Sequence, residues 1–376
     1  MLVVGKPALL SKTKFLRRVE TIVDSHVLTN NGPYVRKLEE AVADYVGAEC
    51  VAVSNATVAL YLVAKALNLR EISVPSFTFI ATTHALHAAG VTLTFLDVMK
   101  DTPHIDLRRA RDLPVCAVNL YGSGCEVRAD TDQMNDAVTF APDTMHRRRA
   151  PLIFDSAHAL GVSRQAPLGS TGTCEIFSMH ATKFISAGEG GLITTKDQSL
   201  AALLKDMRNC GFDHRSQQPH GEIKRWGINA KMPEINAALG LTNFEDMEKF
   251  REINETNYRT YAQHLPEHVK LFDPELPGFR SNYSYVVVTA PPEVRDELLR
   301  ALYSNGIYAR KYFHPHSARV YGLKTSLPHS DTWSSSVICL PTGPTIRKDD
   351  IRRICRVLEL SVRAVPRHHQ LTGSYN

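Results

Sequence analysis

Residues 49–97 read ECVAVSNATVALYLVAKALNLREISVPSFTFIATTHALHAAGVTLTFLD. Three runs of strand length stand out, Glu49–Ser54, Ile72–Pro75 and Thr92–Asp97. Between the first two lies Thr57–Leu69, almost wholly apolar and therefore expected as a buried helix. Between the next two, Ile80–Ala89 reads as a second helix closed by Gly90. The alternation continues with strands expected at Val115–Tyr121, Leu152–Asp155, Glu175–Met179 and Leu192–Thr195. Strands alternating with helices predict an α/β fold whose large, mainly parallel sheet is covered on both faces.

The texture changes near Phe244. Phe244–Leu265 reads as one long, charged amphipathic helix with Tyr258 and Tyr261 among its apolar positions. A strand at Tyr285–Thr289, a helix opened by Pro291 and Pro292, a strand at Ile307–Phe313 and a last helix at Asp349–Val365 follow. The chain therefore divides into a large domain, 1–245, and a small C-terminal α/β domain, 246–376, on which the N-terminal segment is free to pack. Within 122–150, Thr131–Ala141 is expected as a helix and Arg147-Arg148-Arg149 as a solvated turn.

Composition narrows the function. Of 376 residues, 43% are apolar and 22% charged, which excludes disorder and fibrous designs. Lys and Arg outnumber Asp and Glu 44 to 39. That excess suits an anionic small molecule and is too weak and scattered for a nucleic-acid partner. Seven cysteines contain no C-x-x-C pair, so the usual zinc and iron–sulfur spacings are excluded and no metal is expected. The start, MLVVGKPALLSKTK, lacks the basic-then-apolar order of a signal peptide. No apolar stretch reaches the ~18 residues of a membrane span. A cytoplasmic protein is expected.

Four elements carry candidate chemistry. SMHATKFISAGEGG (178–191) follows a strand and holds Lys183, the only lysine between Lys100 and Lys196. Such a lysine is either simply exposed or, if desolvated, able to lose its proton and form an imine, which arginine cannot do. FDSAHALG (154–161) places Asp155 at a strand end, either capping the next turn or facing a pyridinium nitrogen, with His158 three residues on. In SNATVALYL (54–62), Ser54 or Asn55 can cap a helix whose amides near Ala56 and Thr57 either stay an ordinary helix start or face a phosphate. In VPSFTFIATTHAL (74–86), Phe79 is either core or a ring stacked on a planar cofactor.

Taken together and in this order, these elements resemble the DegT/DnrJ-type nucleotide-sugar aminotransferases, fold-type I pyridoxal phosphate enzymes with the aspartate aminotransferase fold. The resemblance extends to LTNNGPYVRKLEEAVADYVG (28–47), NLYG (119–122), GINAKMPEINAALGL (227–241) and ARKYFHPH (309–316). H-x-T-K-x(4)-GEGG with D-x-A-H is its most specific part, and the wording is most similar to members that aminate dTDP-4-keto-6-deoxy sugars. The resemblance implies that Lys183 forms the imine and carries the proton, that Asp155 binds the pyridine nitrogen, and that His158 contacts the ring hydroxyl. It also implies that Thr57, Ser178 and the amide of Ala56 hold the phosphate and that Phe79 stacks on the ring. Asn229 is implied to reach the phosphate of a second subunit, giving a homodimer with shared sites. Arg310, Lys311 and His314 are weaker candidates for the substrate's diphosphate.

The implied reaction is ping-pong, with L-glutamate as amino donor, pyridoxamine phosphate as the alternate cofactor form and a nucleotide-linked keto sugar as acceptor. Ala56 stands where the family usually has Gly, and 122–150 lacks the family's usual helix signature. Three other readings stand beside this one. They are an aminotransferase for an aminocyclitol or other natural-product ketone, the family's dehydratase branch, and a non-catalytic regulator. The dehydratase branch carries histidine where this chain has Lys183, and a regulator has no use for the intact Lys/Asp/Thr set.

Overall fold

A computed structural model describes residues 1–107, 113–126, 150–214 and 221–363. After a two-residue strand β1 (Leu2–Val3), the chain builds a seven-stranded sheet from β2 (Glu49–Val53), β3 (Glu71–Pro75), β4 (Thr92–Leu96), β5 (Val115–Val118), β6 (Leu152–Asp155), β7 (Cys174–Ser178) and β8 (Gly191–Thr195). Their spatial order is β2-β8-β7-β6-β5-β3-β4. Every pair from β7 across to β4 is parallel, and β8 alone runs against its neighbours β7 and β2. Each of these seven strands is expected from the sequence, and β6 sits at the centre.

The side-chain alternation of the strands explains the layers. Val51, Val53, Ile176 and Ile193 pack with the helix Ala56–Ala66, with Ala85 and Leu86, and with Leu200 and Leu204. Their strand neighbours Cys50, Ala52, Phe177 and Leu192 point the other way, onto Val35, Leu38 and Val42 of the helix Pro33–Val46 and Ala237, Ala238 and Leu241 of a later helix. Helices therefore cover both faces, which is why β5 to β8 are buried along their whole length.

A second sheet holds β9 (Lys270–Leu271), β10 (Val286–Thr289) and β12 (Val337–Leu340) in the antiparallel order β12-β10-β9. One face packs on the helices Pro292–Ser304 and Lys348–Arg363 through Leu298, Leu302, Ile351 and Ile354. The other face sends Tyr285, Val287 and Cys339 into the same core as Phe77, Ala117, Tyr121 and Phe154 of the large sheet's layer. Strand β1 pairs in parallel with β11 (Ile307–Tyr308), so the N-terminus is anchored late in the chain.

Three expectations need correction. The single helix expected over Phe244–Leu265 is two, Glu234–Glu245 and Met247–His264, with Asp246 between them. Asp246 leaves helical geometry at φ −95° and ψ 11°, and its carboxylate accepts the Lys249 ammonium at 2.8 Å. The strand expected over Ile307–Phe313 stops at Tyr308. Arg310 then exchanges both backbone bonds with Cys339, and the chain leaves the sheet toward the cavity. Strand β12 was not expected at all. The helix expected at Thr131–Ala141 and the basic turn at 147–149 lie outside the described residues. All seven cysteines are free thiols. Among the described residues no helix is long and apolar enough to cross a membrane.

Candidate active site

The C-terminal ends of β5, β6 and β7 open into a cavity of about 620 Å³. Ala56, Thr57, Phe79, Asp155, His158, Ser178 and Lys183 all line it. Seven of the eight residues singled out for a cofactor, drawn from four separate stretches of sequence, therefore meet at one place.

Each wall has a local cause. Asn55 adopts an extended conformation and its side chain accepts the Val58 amide at 2.9 Å, capping the helix Ala56–Ala66. Helix geometry leaves the amides of Ala56 and Thr57 without intrahelical partners, and they open an electropositive end toward the cavity. The helix can start this close to the sheet because residue 191 is glycine: a Cβ there would lie 2.5 Å from the Asn55 carbonyl carbon and 2.7 Å from the Ala56 nitrogen. Phe79 is half exposed, its ring 5.5 Å from that of Phe313.

At the opposite end Asp155 is buried. Its Oδ2 accepts from the Thr82 hydroxyl at 2.7 Å and its Oδ1 from the Ala157 amide at 3.1 Å. Burial raises the Asp155 carboxyl above its ordinary range, while Thr82, Ala157 and the nearby Lys183 charge pull it back. The position of Asp155 is braced from behind. Asn119 donates to Ser156 at 2.8 Å, and Ser156 donates to the buried Glu175 at 2.9 Å. Glu175, near the start of β7, also accepts the Gly169 amide at 2.7 Å, so the exits of β5 and β6 are tied to β7.

Burial drives Lys183 down to about 8, with Asp155 opposing. A lysine so placed is about half neutral at pH 8, where an ordinary lysine is almost wholly charged. His158 is buried and held well below its ordinary range, first by desolvation and then by Lys183. Its Nδ1 accepts from the Tyr121 amide at 3.4 Å, which assigns the ring proton to Nε2.

Asn229 is exposed and does not line this chain's own cavity. It pairs with Asn209, and the Ala230 amide donates to the Arg208 carbonyl at 2.9 Å. Arg208 is itself buried in an ion pair with Glu39. Arg310, Lys311 and His314 also stay out of the cavity. Lys311 pairs with Asp296 at 2.7 Å and His314 meets Ser334 at 3.1 Å, whereas Arg310 bonds the Tyr312 phenol, which does line it.

Sequence reasoning missed Thr82, one helical turn beyond Phe79, and Tyr285, which has no local signal. It also missed a Ser76–His316–Asp331 chain, with Ser76 Oγ 2.5 Å from Nδ1 of His316 and Nε2 3.0 Å from Asp331. Ser76 is fully buried, so this is no nucleophilic triad. It fastens the exit of β3 to the segment carrying Tyr312 and Phe313.

Comparison with known proteins gives the family and the fold. The profile of the DegT/DnrJ/EryC1/StrS aminotransferase family matches residues 10–359. The dTDP-4-amino-4,6-dideoxy-D-glucose transaminase of Shigella dysenteriae is 29% identical over 93% of this chain and 96% of its own. The GDP-perosamine synthase of Caulobacter vibrioides is 29% identical over 90% of this chain and 92% of its own. The crystal structure of DesI in the presence of its TDP-sugar product superposes with a TM-score of 0.85 at 36% identity, covering 96% of this chain and 93% of DesI. Spr1654 of Streptococcus pneumoniae, known in its PLP form, shares the fold with a TM-score of 0.85 at 20% identity, over 96% of this chain and 99% of its own. With the family profile spanning nearly the whole chain, this protein belongs to the DegT/DnrJ/EryC1/StrS aminotransferase family.

Proposed function

We propose that this aminotransferase uses pyridoxal phosphate to move an amino group from L-glutamate to the keto group of a nucleotide-linked sugar, of the dTDP-4-keto-6-deoxy class. The observation that carries the reading is one cavity presenting a helix N-terminus, a desolvated lysine and a buried carboxylate together. The acceptor class rests on the names of the relatives and on the TDP-sugar complex of DesI. The division into 1–245 and 246–376 and the shared-site homodimer belong to the same proposal.

The residues fit the cofactor. The amides of Ala56 and Thr57 and the Ser178 hydroxyl offer donors to a phosphate at the electropositive helix end. The methyl group of Ala56 is accommodated at the cavity wall. Phe79 offers a flat face to the ring. The cofactor, when bound, supplies an electron sink for the carbon that gains or loses its proton. Asp155 would hold the ring nitrogen, whose positive N–H would offset the desolvation that raises the carboxyl. His158, with its proton on Nε2, would donate to the ring hydroxyl. Lys183, neutral in good part near pH 8, takes and returns the proton at Nζ.

The test is a panel of dTDP-, GDP- and UDP-linked 4-keto-6-deoxy sugars, incubated with the purified protein, pyridoxal phosphate and glutamate. Formation of 2-oxoglutarate together with an aminated dTDP-sugar by mass spectrometry is the expected result. Turnover of aminocyclitol ketones with no nucleotide sugar accepted would reject the proposed acceptor.

A further inference from the structure

Tyr285 directly precedes β10 and is buried where the small sheet meets the large one, yet it lines the cavity. Its hydroxyl oxygen accepts from Nζ of Lys183 at 3.4 Å. Its ring stacks on the imidazole of His158 with centroids 4.2 Å apart and planes at 29°. On another side the ring of Tyr121 meets it edge-on at 5.9 Å, and the Tyr121 hydroxyl donates to the Tyr312 carbonyl. The phenol is therefore held on several sides, and its oxygen has little freedom to leave the amine.

We infer that Tyr285 is a further positioning residue of the site: its hydroxyl anchors one N–H of Lys183 so that the lone pair faces the reacting carbon, and its ring fixes the plane of His158. The inference rests on the proposed aminotransferase function. An sp³ amine with one N–H committed has far fewer orientations available, and orientation of a proton carrier is worth a large factor in rate. At 3.4 Å the bond is long, as such contacts often are before substrate and cofactor tighten a site. Burial holds the phenol protonated well above its ordinary range. It therefore presents a neutral acceptor and does not lock the lysine as an ammonium ion, as a phenolate would.

The test compares wild type with Tyr285→Phe, which keeps the ring, and with Tyr285→Leu, which removes its stacking on His158. The first readout is the pH dependence of reductive methylation of Lys183 by formaldehyde with sodium cyanoborohydride as hydride donor in the cofactor-free full chain, followed by peptide mass spectrometry. Loss of the phenol oxygen removes an acceptor that favours the charged amine, so the methylation midpoint in Tyr285→Phe moves to lower pH. The second readout is steady-state kinetics of the loaded enzyme, where kcat falls about tenfold or more while KM changes little. Tyr285→Leu is expected to lower kcat further. An unchanged midpoint, or an unchanged kcat, in a folded Tyr285→Phe protein overturns the inference. Should Tyr285→Leu fail to fold, Tyr285→Phe decides alone. If the wild type accepts no keto sugar at all while the midpoint still shifts, the proposed function fails and the Tyr285–Lys183 contact stands.

Discussion

Lys183 is held in a place that works against its charge, and that has a consequence for the cofactor-free protein. Its ammonium ordinarily titrates near 10.5 and here is pulled to about 8 by burial. Between those values the unfolded chain binds more protons than the folded one, so stability rises with pH through the window and is lost as pH falls through about 8. Replacing the lysine by an uncharged side chain of similar length removes the penalty. Lys183→Met should therefore be more stable than wild type at pH 7, by on the order of 2 kcal/mol, with the gap narrowing by pH 9.5. Urea melts at the two pH values measure this, and equal stability at both would show that the lysine is not desolvated. At the other end of the cavity, Asp155→Asn keeps the shape but loses the charge proposed to hold the ring nitrogen. Turnover should drop at least ~10²-fold with cofactor occupancy changed less; a near wild-type rate would make Asp155 merely structural. Both residues were legible because Asp155 ends a buried strand and Lys183 lies in the short segment just beyond another. Thr82 and Tyr285 were not, because they meet their partners across 73 and 102 positions of sequence, and nothing local in TTHAL or NYSYVVV announces such a meeting.

Among the elements, the start of the helix Ala56–Ala66 depends on its neighbour β8. A Cβ at residue 191 would press on backbone atoms of Asn55 and Ala56, which cannot swing aside as a flexible side chain would. Gly191→Ala should thus shift the helix start, costing about 1–3 kcal/mol in stability and weakening cofactor binding disproportionately. Titrating the variant with pyridoxal phosphate and following its visible band checks this, and wild-type affinity would mean the phosphate is held elsewhere. The seven strands of the large sheet were readable because burial on both faces demands short apolar runs bounded by polar punctuation. Strand β12, in SSSVICLPTGP, has the same character but only four residues, and no helix pattern frames it on the N-terminal side in the sequence. The break at Asp246 escaped notice because the apolar spacing runs through it without interruption. The break lies in the backbone dihedrals of Asp246, which no side-chain pattern records. The helix Pro33–Val46 did carry readable signals, with Pro33 in its first turn and Gly47 closing it at φ 68°.

For the whole molecule, the question is what completes the site, since Asn229 lies away from its own chain's cavity. The segment that carries it is firmly built. Glu234, fully buried, accepts the amides of Tyr34 at 2.7 Å and Val35 at 3.1 Å, and its own amide donates to the Leu28 carbonyl at 3.0 Å. Yet Leu28, Ile223, Trp226 and Ile235 on and around this segment are 43–67% exposed. Rigid backbone with apolar side chains turned outward is what a protein interface requires. A second copy of this chain is the proposed occupant, bringing Asn229 to the phosphate end of the neighbouring cavity. Mixing two impaired proteins, Lys183→Ala and Asn229→Ala, after dissociation and reassociation tests this. A mixed dimer has one cavity with an intact Lys183 and an intact Asn229 from its partner, while the other cavity carries both defects. Random association makes about half of the dimers mixed, so activity should rise toward about a quarter of wild type. If Asn229 only shapes a turn within its own subunit, every cavity keeps the defect of its own chain. Activity on mixing then stays at the average of the two parents, and light scattering that finds a fully active monomer would remove the shared site altogether.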